Sequence, residues 1–318
     1  MRCKCGKKSV YFRKYEGKLL CKQCFIRSIE SKVKRTIRKH SMVKKGDVVC
    51  LALSGGKDSS TAAYMMKKVF GDWPSVSLIA ITVDEGVKPY RTESIKKAKA
   101  FAREFGLEHH MLSFKDEFGK TSDQIAKKIK TSGNPIQEIC TYCGVGRRYL
   151  MNKKAREFGA TKLCVGHNLD DEVQAAMLNY IRGDLARAGR MEAVTAWSTR
   201  KRSGNLFIPR IKPLREIPER ETALYAQLMG FDILEGHCPH AGGVRFDVRD
   251  FLNNMEFRYP GTKFSVLETF DRLNPYIKRL AEKQYAENGL GKILKCRRCG
   301  EPSSRELCKA CELWRYDS

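Results

Sequence analysis

Val48-Val49-Cys50-Leu51-Ala52-Leu53-Ser54-Gly55-Gly56-Lys57-Asp58-Ser59-Ser60 reads as a short apolar strand, a Gly-Gly turn and the first turn of a helix. Asp58, Ser59 and Ser60 are residues that suit a helix start. Two adjacent glycines let the backbone approach a ligand, and the unpaired N–H groups and positive dipole end of the new helix favour an anion. A nucleotide phosphate is the expected occupant. The commonest phosphate loop, G-x-x-x-x-G-K-[ST], is excluded, because it needs four residues between glycines that are contiguous here.

Outward from this stretch, strands and helices alternate. Residues 77–83 read as a second apolar strand, 91–105 as an amphipathic helix, 108–114 as a third strand candidate and 161–165 as a fourth. The alternation predicts an α/β fold: a parallel sheet covered on both faces, with ligands at the carboxyl ends of its strands. Val83-Asp84-Glu85-Gly86 and Gly166-His167-Asn168 fall at such ends. The latter continues into Leu169-Asp170-Asp171-Glu172. Its three carboxylates could reach a phosphate-bound Mg²⁺, or could simply suit the helix dipole.

The 318 residues carry a formal charge of +25, which points to a polyanionic partner. Residues 1–45 hold 16 Lys/Arg against Glu16 and Glu30, so +14 of that charge lies there, the expected electrostatic footprint. No run of 18 apolar residues and no apolar signal core occurs, so a soluble, cytoplasmic protein without membrane contact is expected. Thirteen cysteines argue for metals and reactive thiolates in a reducing compartment. Cys3-x-Cys5 with Cys21-x-x-Cys24, and Cys296-x-x-Cys299 with Cys308-x-x-Cys311, each suit a structural Zn²⁺. Of the remaining five, Cys50 and Cys164 lie in apolar strands as small fillers. Cys140, Cys143 and Cys238 stand on loops, and three thiolates suit either a cluster with an open position or a redox pair with a bystander.

Ser54-Gly55-Gly56-Lys57-Asp58-Ser59 resembles the PP-loop, S-G-G-x-D-S, of ATP pyrophosphatases. Together with Cys140-x-x-Cys143-Gly-x-x-x-Arg147-Arg148, Gly166-His-Asn-x-Asp-Asp171, the later Cys238-Pro and cysteine knuckles at both ends, it makes the chain similar to the TtuA and cytosolic tRNA 2-thiolation family. Val83-Asp84-Glu85-Gly86 and Ile181-Arg-Gly-Asp184 resemble its wobble-uridine branch rather than the T-loop branch. The resemblance implies a zinc knuckle over 1–28, a basic helical linker over 29–46, a PP-loop catalytic domain over 47–260, a helical segment over 261–292 and a zinc ribbon over 293–318. It further implies that Ser54 to Ser59 grip the phosphates of ATP, that Ala52, Leu53, Ile81, Thr82 and Val83 line the nucleotide, and that Gly166 closes over it. Cys140, Cys143 and Cys238 would hold a [4Fe-4S] cluster with one iron free of protein ligands. Asp171, with Asp170 the second choice, would be the acid near the reacting centre, and Arg147 would approach the phosphates. A homodimer is expected.

The chemistry implied is tRNA-uridine 2-thiolation: the C2 oxygen attacks the α-phosphate of ATP, Lys57 and Mg²⁺ offset charge on the departing pyrophosphate, and sulfur displaces AMP. The sulfur donor would be sulfide or a ubiquitin-like carrier. Two other readings stay open: a PP-loop enzyme that modifies tRNA without sulfur, and a non-catalytic, zinc-stabilised RNA-binding protein.

Overall fold

The computed structural model describes residues 1–131, 139–195, 207–234, 236, 238–287 and 294–314. A hairpin of β1 (Tyr11–Arg13) and β2 (Lys18–Leu20) leads into α1 (Lys22–Lys39). Phe25, Ile29, Val33 and Ile37, spaced by four along α1, are buried in the main core. The helix therefore begins inside the N-terminal knuckle, carries Cys24, and runs without a break through the segment expected to be a linker, because its apolar stripe docks on the domain.

Next come β3 (Val48–Ala52), α2 (Lys57–Phe70), β4 (Ser77–Asp84), α3 (Tyr90–Glu104), β5 (Glu108–Ser113), α4 (Phe114–Phe118), α5 (Ser122–Thr131), α6 (Ile139–Glu157) and β6 (Lys162–Cys164). They are followed by α7 (Leu169–Ile181), α8 (Leu185–Ala188), β7 (Arg210–Ile211), α9 (Glu219–Met229), α10 (Val244–Arg258) and α11 (Thr262–Glu287). A hairpin of β8 (Leu294–Lys295) and β9 (Pro302–Ser303) and the short α12 (Lys309–Trp314) complete the described chain.

The central sheet has the order β5-β4-β3-β6-β7, parallel throughout. The four strands expected from the sequence are all present, with Phe114 starting a helix instead of ending β5. The fifth, β7, is only Arg210-Ile211, between Pro209 and Lys212, too short to carry a strand period. Two clusters of buried side chains cover the two faces. One joins α1, α2 and α9 through Phe25, Met65 and Tyr225; the other joins α6 and the C-terminal knuckle through Leu150, Phe114 and Trp314. Cys50 and Cys164 are buried in β3 and β6, as expected of apolar fillers.

Because β4 and β5 lie on one side of β3 and β6 and β7 on the other, strand order reverses between β3 and β6. A crevice opens at the carboxyl ends of strands at such a reversal. The loops that follow those two strands are residues 53–56 and 165–168. Among the described residues, no helix is long and apolar enough to cross a membrane.

Candidate active site

Gly55 has φ +83°, and a Cβ there would stand 2.1 Å from the carbonyl oxygen of Ser94 in α3. Only glycine serves both the conformation and the approach. Gly56 is the N-cap of α2 and offers no side-chain acceptor, so the N–H groups of the first turn are left for a ligand. The Ser59 hydroxyl fixes the loop from inside: it accepts from the Ser54 N–H at 3.0 Å and donates to the Gly56 carbonyl at 3.0 Å. Gly166 closes the other side, since a Cβ there would meet the Asp58 carbonyl carbon at 2.7 Å. Leu53, Ile81, Thr82 and Val83 are buried beneath the loop. The Thr82 hydroxyl donates to the Leu53 carbonyl, while Ala52 keeps part of its surface.

Lys57 points its ammonium between Asp58 and Glu219, 2.8 Å from each. Burial alone would lower the pKa of Lys57, but the two carboxylates hold it above its ordinary value, so the charge is permanent. Burial pushes Asp58 upward, opposed by Lys57 and by the Asn168 amide, which donates to it at 3.0 Å. Asn168 and Asp171 form a reciprocal capping box at the start of α7. Asp171 keeps a partly exposed oxygen paired with Arg245 at 2.7 Å, and burial raises its pKa. Asp170 differs: it is buried, paired with Lys263, and accepts from the Glu219 N–H at 2.8 Å, which makes it a brace between α7, α9 and α11. His167 is an exposed imidazole in the loop after β6, and the protein around it and the nearby Lys212 charge lower its pKa.

The second half of the site lies one strand over. Cys140 and Cys143 occupy the first turns of α6 rather than the loop expected, and only Cys238 of the three lies outside helix and strand. The Cys143 sulfur lies 3.0 Å from the Ser122 hydroxyl, and the Cys140 sulfur lies 3.4 Å from the carbonyl of His240, two residues past Cys238. Burial lifts the Cys143 thiol to about 11, with Ser122 and Arg147 opposing and the Cys238 charge adding to it. The three cysteines thus converge. They are not drawn together as a single ion would draw them: among the described residues, sulfurs within 4.8 Å of one another occur in Cys3, Cys5, Cys21 and Cys24, and in Cys296, Cys299, Cys308 and Cys311. Those two groups fit metal ions, the C-x-C spacing of the first included. The wider triad suits a cluster in which each thiolate has its own iron.

Glu85, buried at the end of β4, joins the halves. One oxygen accepts from Arg147 Nε at 2.7 Å; the other lies 2.6 Å from Nε of Arg91, whose guanidinium also donates to the Ser54 carbonyl. Arg147 therefore lies beside Cys143, anchored on Glu85.

A family model described as a PP-loop domain matches residues 27–237. The tRNA 2-thiolation protein NcsA of Haloferax volcanii is 34% identical, covering 98% of both chains. The chain belongs to the PP-loop tRNA 2-thiolation family. Cytoplasmic tRNA 2-thiolation protein 1 of Danio rerio is 32% identical over 96% of this chain and 85% of that protein. The solved structure of the U34-tRNA thiolase NcsA from Methanococcus maripaludis with its [4Fe-4S] cluster superposes with a TM-score of 0.78 at 35% identity, covering 99% of this chain and 96% of that one.

Within this family member, the residues that sequence reasoning passed over are mostly partners across the fold: Glu85, Arg91, Glu219, Arg245, Ser122 and Asp123. Glu85 stood in a stretch noted for branch likeness, and Glu219 lies in the first turn of α9, where an acid suits the helix dipole without any further role. The pairing of Glu219 with Lys57, 162 positions away, leaves no local signal.

Proposed function

We propose that the chain is an ATP-dependent tRNA-uridine 2-sulfurtransferase acting at the wobble uridine. What supports this reading is the single frame that holds a phosphate loop at the end of β3 and a three-cysteine site at the head of α6, joined through Glu85 at the end of β4. Residues 54–59 bind the ATP phosphates, with Asp58 and Asp171 as the carboxylates that would hold Mg²⁺. The target base enters the cleft between them, as a splayed loop nucleotide can. Its C2 oxygen attacks the α-phosphorus, the Pα–O bond to pyrophosphate breaks, and the fixed charge of Lys57 offsets the negative charge that leaves. Cys140, Cys143 and Cys238 fit a [4Fe-4S] cluster, which when bound supplies a sulfide at its iron without a protein ligand. Sulfur then forms a bond to C2, and the C2–O bond breaks with AMP as leaving group. His167, neutral at physiological pH, leaves the cleft without a cation at that point and can accept or donate one hydrogen bond.

Zn²⁺ in the two four-cysteine knuckles, a homodimeric assembly, and sulfide or a ubiquitin-like carrier as donor belong to the same proposal. The test is nucleoside analysis of unmodified tRNA after incubation with anaerobically purified protein, ATP and sulfide. Appearance of 2-thiouridine at position 34 together with AMP is expected. AMP without sulfur in the tRNA, or sulfur at another position, would overturn it.

A further inference from the structure

Resting on the three-cysteine reading above, we infer that Asp123 and His240 form a clasp that locks the Cys238 loop against the head of α6 and so positions the third thiolate. Asp123 stands in the first turn of α5. Its Oδ1 accepts from His240 Nε2 at 2.9 Å, its Oδ2 accepts from the Lys88 N–H at 2.9 Å, and its own N–H donates to the Gly86 carbonyl at 3.4 Å. The carboxylate is therefore fixed to the loop that follows β4 before it reaches for the imidazole. On the far side, the His240 carbonyl lies 3.4 Å from the Cys140 sulfur, and the Ala241 N–H donates to the Cys238 carbonyl at 2.9 Å. His240 thus has one end of its residue on α5 and the other on α6, with Cys238 held in the turn between.

The neighbouring Ser122 completes the arrangement. Its hydroxyl lies 3.0 Å from the Cys143 sulfur and its N–H donates to the Glu85 carbonyl at 2.8 Å. One dipeptide, Ser122-Asp123, addresses Cys143 directly and the Cys238 loop through His240. The loop is also tied at its ends, by Leu234 N–H to the Gly55 carbonyl at 3.0 Å and by Arg245 to Asp171 at 2.7 Å. His240 lies between those ties, two residues from Cys238. Both side chains of the clasp are partly exposed, at 39% for Asp123 and 20% for His240. A pair so placed adds little to global stability. Its worth is positional, in the way that outer-shell partners orient ligands to a metal centre.

The test compares His240→Ala, His240→Gln, Asp123→Ala and the double variant His240→Ala/Asp123→Ala with the unaltered protein, all purified anaerobically. Iron release to a chelator, the electron paramagnetic resonance spectrum of the reduced protein, bound zinc and ATP affinity are measured on each. Outer-shell losses cost about 10–100-fold in metal affinity, and iron release from His240→Ala and Asp123→Ala should accelerate on that scale. The double variant should be no worse than either single one, because the two side chains act as a unit. His240→Gln, whose amide N–H reaches toward Asp123 much as Nε2 does, should recover most of the retention. Zinc content and ATP affinity should stay unchanged. Release at the unaltered rate, additive losses, or iron loss accompanied by loss of zinc and ATP binding would overturn the clasp while leaving the sulfurtransferase reading in place. An unaltered protein that carries no iron would remove that reading and the clasp with it. If Asp123→Ala does not fold, the two loop variants at His240 decide the matter alone.

Discussion

The backbone N–H of Leu234 donates to the carbonyl oxygen of Gly55 at 3.0 Å. The phosphate loop and the segment that leads to Cys238 therefore share a hydrogen bond although 179 positions separate them along the chain. With Glu85 tying Arg91 at the same loop to Arg147 beside Cys143, the nucleotide and sulfur halves of the site are joined at two independent points.

Gly55→Ala is the first test of that frame. A non-glycine residue in the left-handed region costs about 1–2 kcal/mol, and the new Cβ would press on the Ser94 carbonyl at 2.1 Å, so the loop must shift. Misplacing a reacting group by about 1 Å can cost on the order of 100-fold, and AMP formation should fall by at least that. Isothermal titration with ATP measures the binding share. Unchanged affinity and turnover would show that the loop does not cradle the phosphates.

Asp170 and Asp171 are adjacent and should behave in opposite ways. Asp170→Asn removes the buried partner of Lys263, and breaking such a pair costs about 3–5 kcal/mol, to be read from denaturant unfolding. Asp171→Asn keeps an acceptor for the capping box and loses a partly exposed pair with Arg245, worth about 1 kcal/mol or less, yet turnover should collapse. Reversal of the two phenotypes would transfer the chemical role to Asp170.

How much of this could be read in advance follows from range. The strands β3 and β4 showed as apolar runs, and residues 54–59 and the eight knuckle cysteines as fixed local spacings. The strand β7 did not show, because Arg210-Ile211 is too short to carry a period and owes its place to pairing with Leu163 and Cys164. The start of α1 was hidden because Cys24 was counted only as a ligand, although it lies one residue before Phe25 on the buried stripe. Glu85, Glu219 and Arg245 were ordinary charged residues until the fold placed them against Arg147, Lys57 and Asp171. Long-range charge pairing has no local pattern to read.

His167 sets a pH signature. Its folded-state pKa lies below the ordinary 6.5, so the native state resists a proton that the unfolded state accepts, by an amount that solvent around the exposed ring reduces. The contribution is fully present above pH 6.5 and is lost as pH falls from there toward 4. His167→Gln should flatten the decline of stability across that window and leave stability at neutral pH nearly unchanged, as urea midpoints at several pH values would report. An equally steep decline in the variant would place the responsible group elsewhere.

Trp314 connects the C-terminal knuckle to the cysteine helix. It stacks on Phe118 with ring centroids 4.9 Å apart, and its indole N–H donates at 3.1 Å to the carbonyl of Tyr142, which stands between Cys140 and Cys143. Trp314→Ala should cost about 3–5 kcal/mol through the cavity it opens, seen as a lower thermal midpoint. Trp314→Phe keeps most of the packing and gives up one hydrogen bond, at about 1 kcal/mol, but should still speed iron release because Tyr142 loses its anchor. Iron release unaffected by Trp314→Phe would separate the knuckle from the sulfur site.

The basic face of α1 gives a prediction about nucleic acid. Phe25, Ile29, Val33 and Ile37 point into the core, which leaves Arg27, Lys34, Arg35 and Arg38 exposed on the opposite side. Changing these four to Gln should leave the fold intact and weaken tRNA binding at every sequence alike. Each phosphate contact contributes a slope of about 0.7–0.9 to the dependence of log affinity on log salt. If two or three of the four touch the backbone, the slope should shrink by about 2 when binding is measured across a salt series. A slope that does not move would shift the footprint toward the cleft itself. There, burial first, and then the charges of Arg147 and Arg187, lower the pKa of Arg148, and burial and the Arg148 charge lower that of Arg210. Cations that depress one another in this way gain most from a phosphate placed among them.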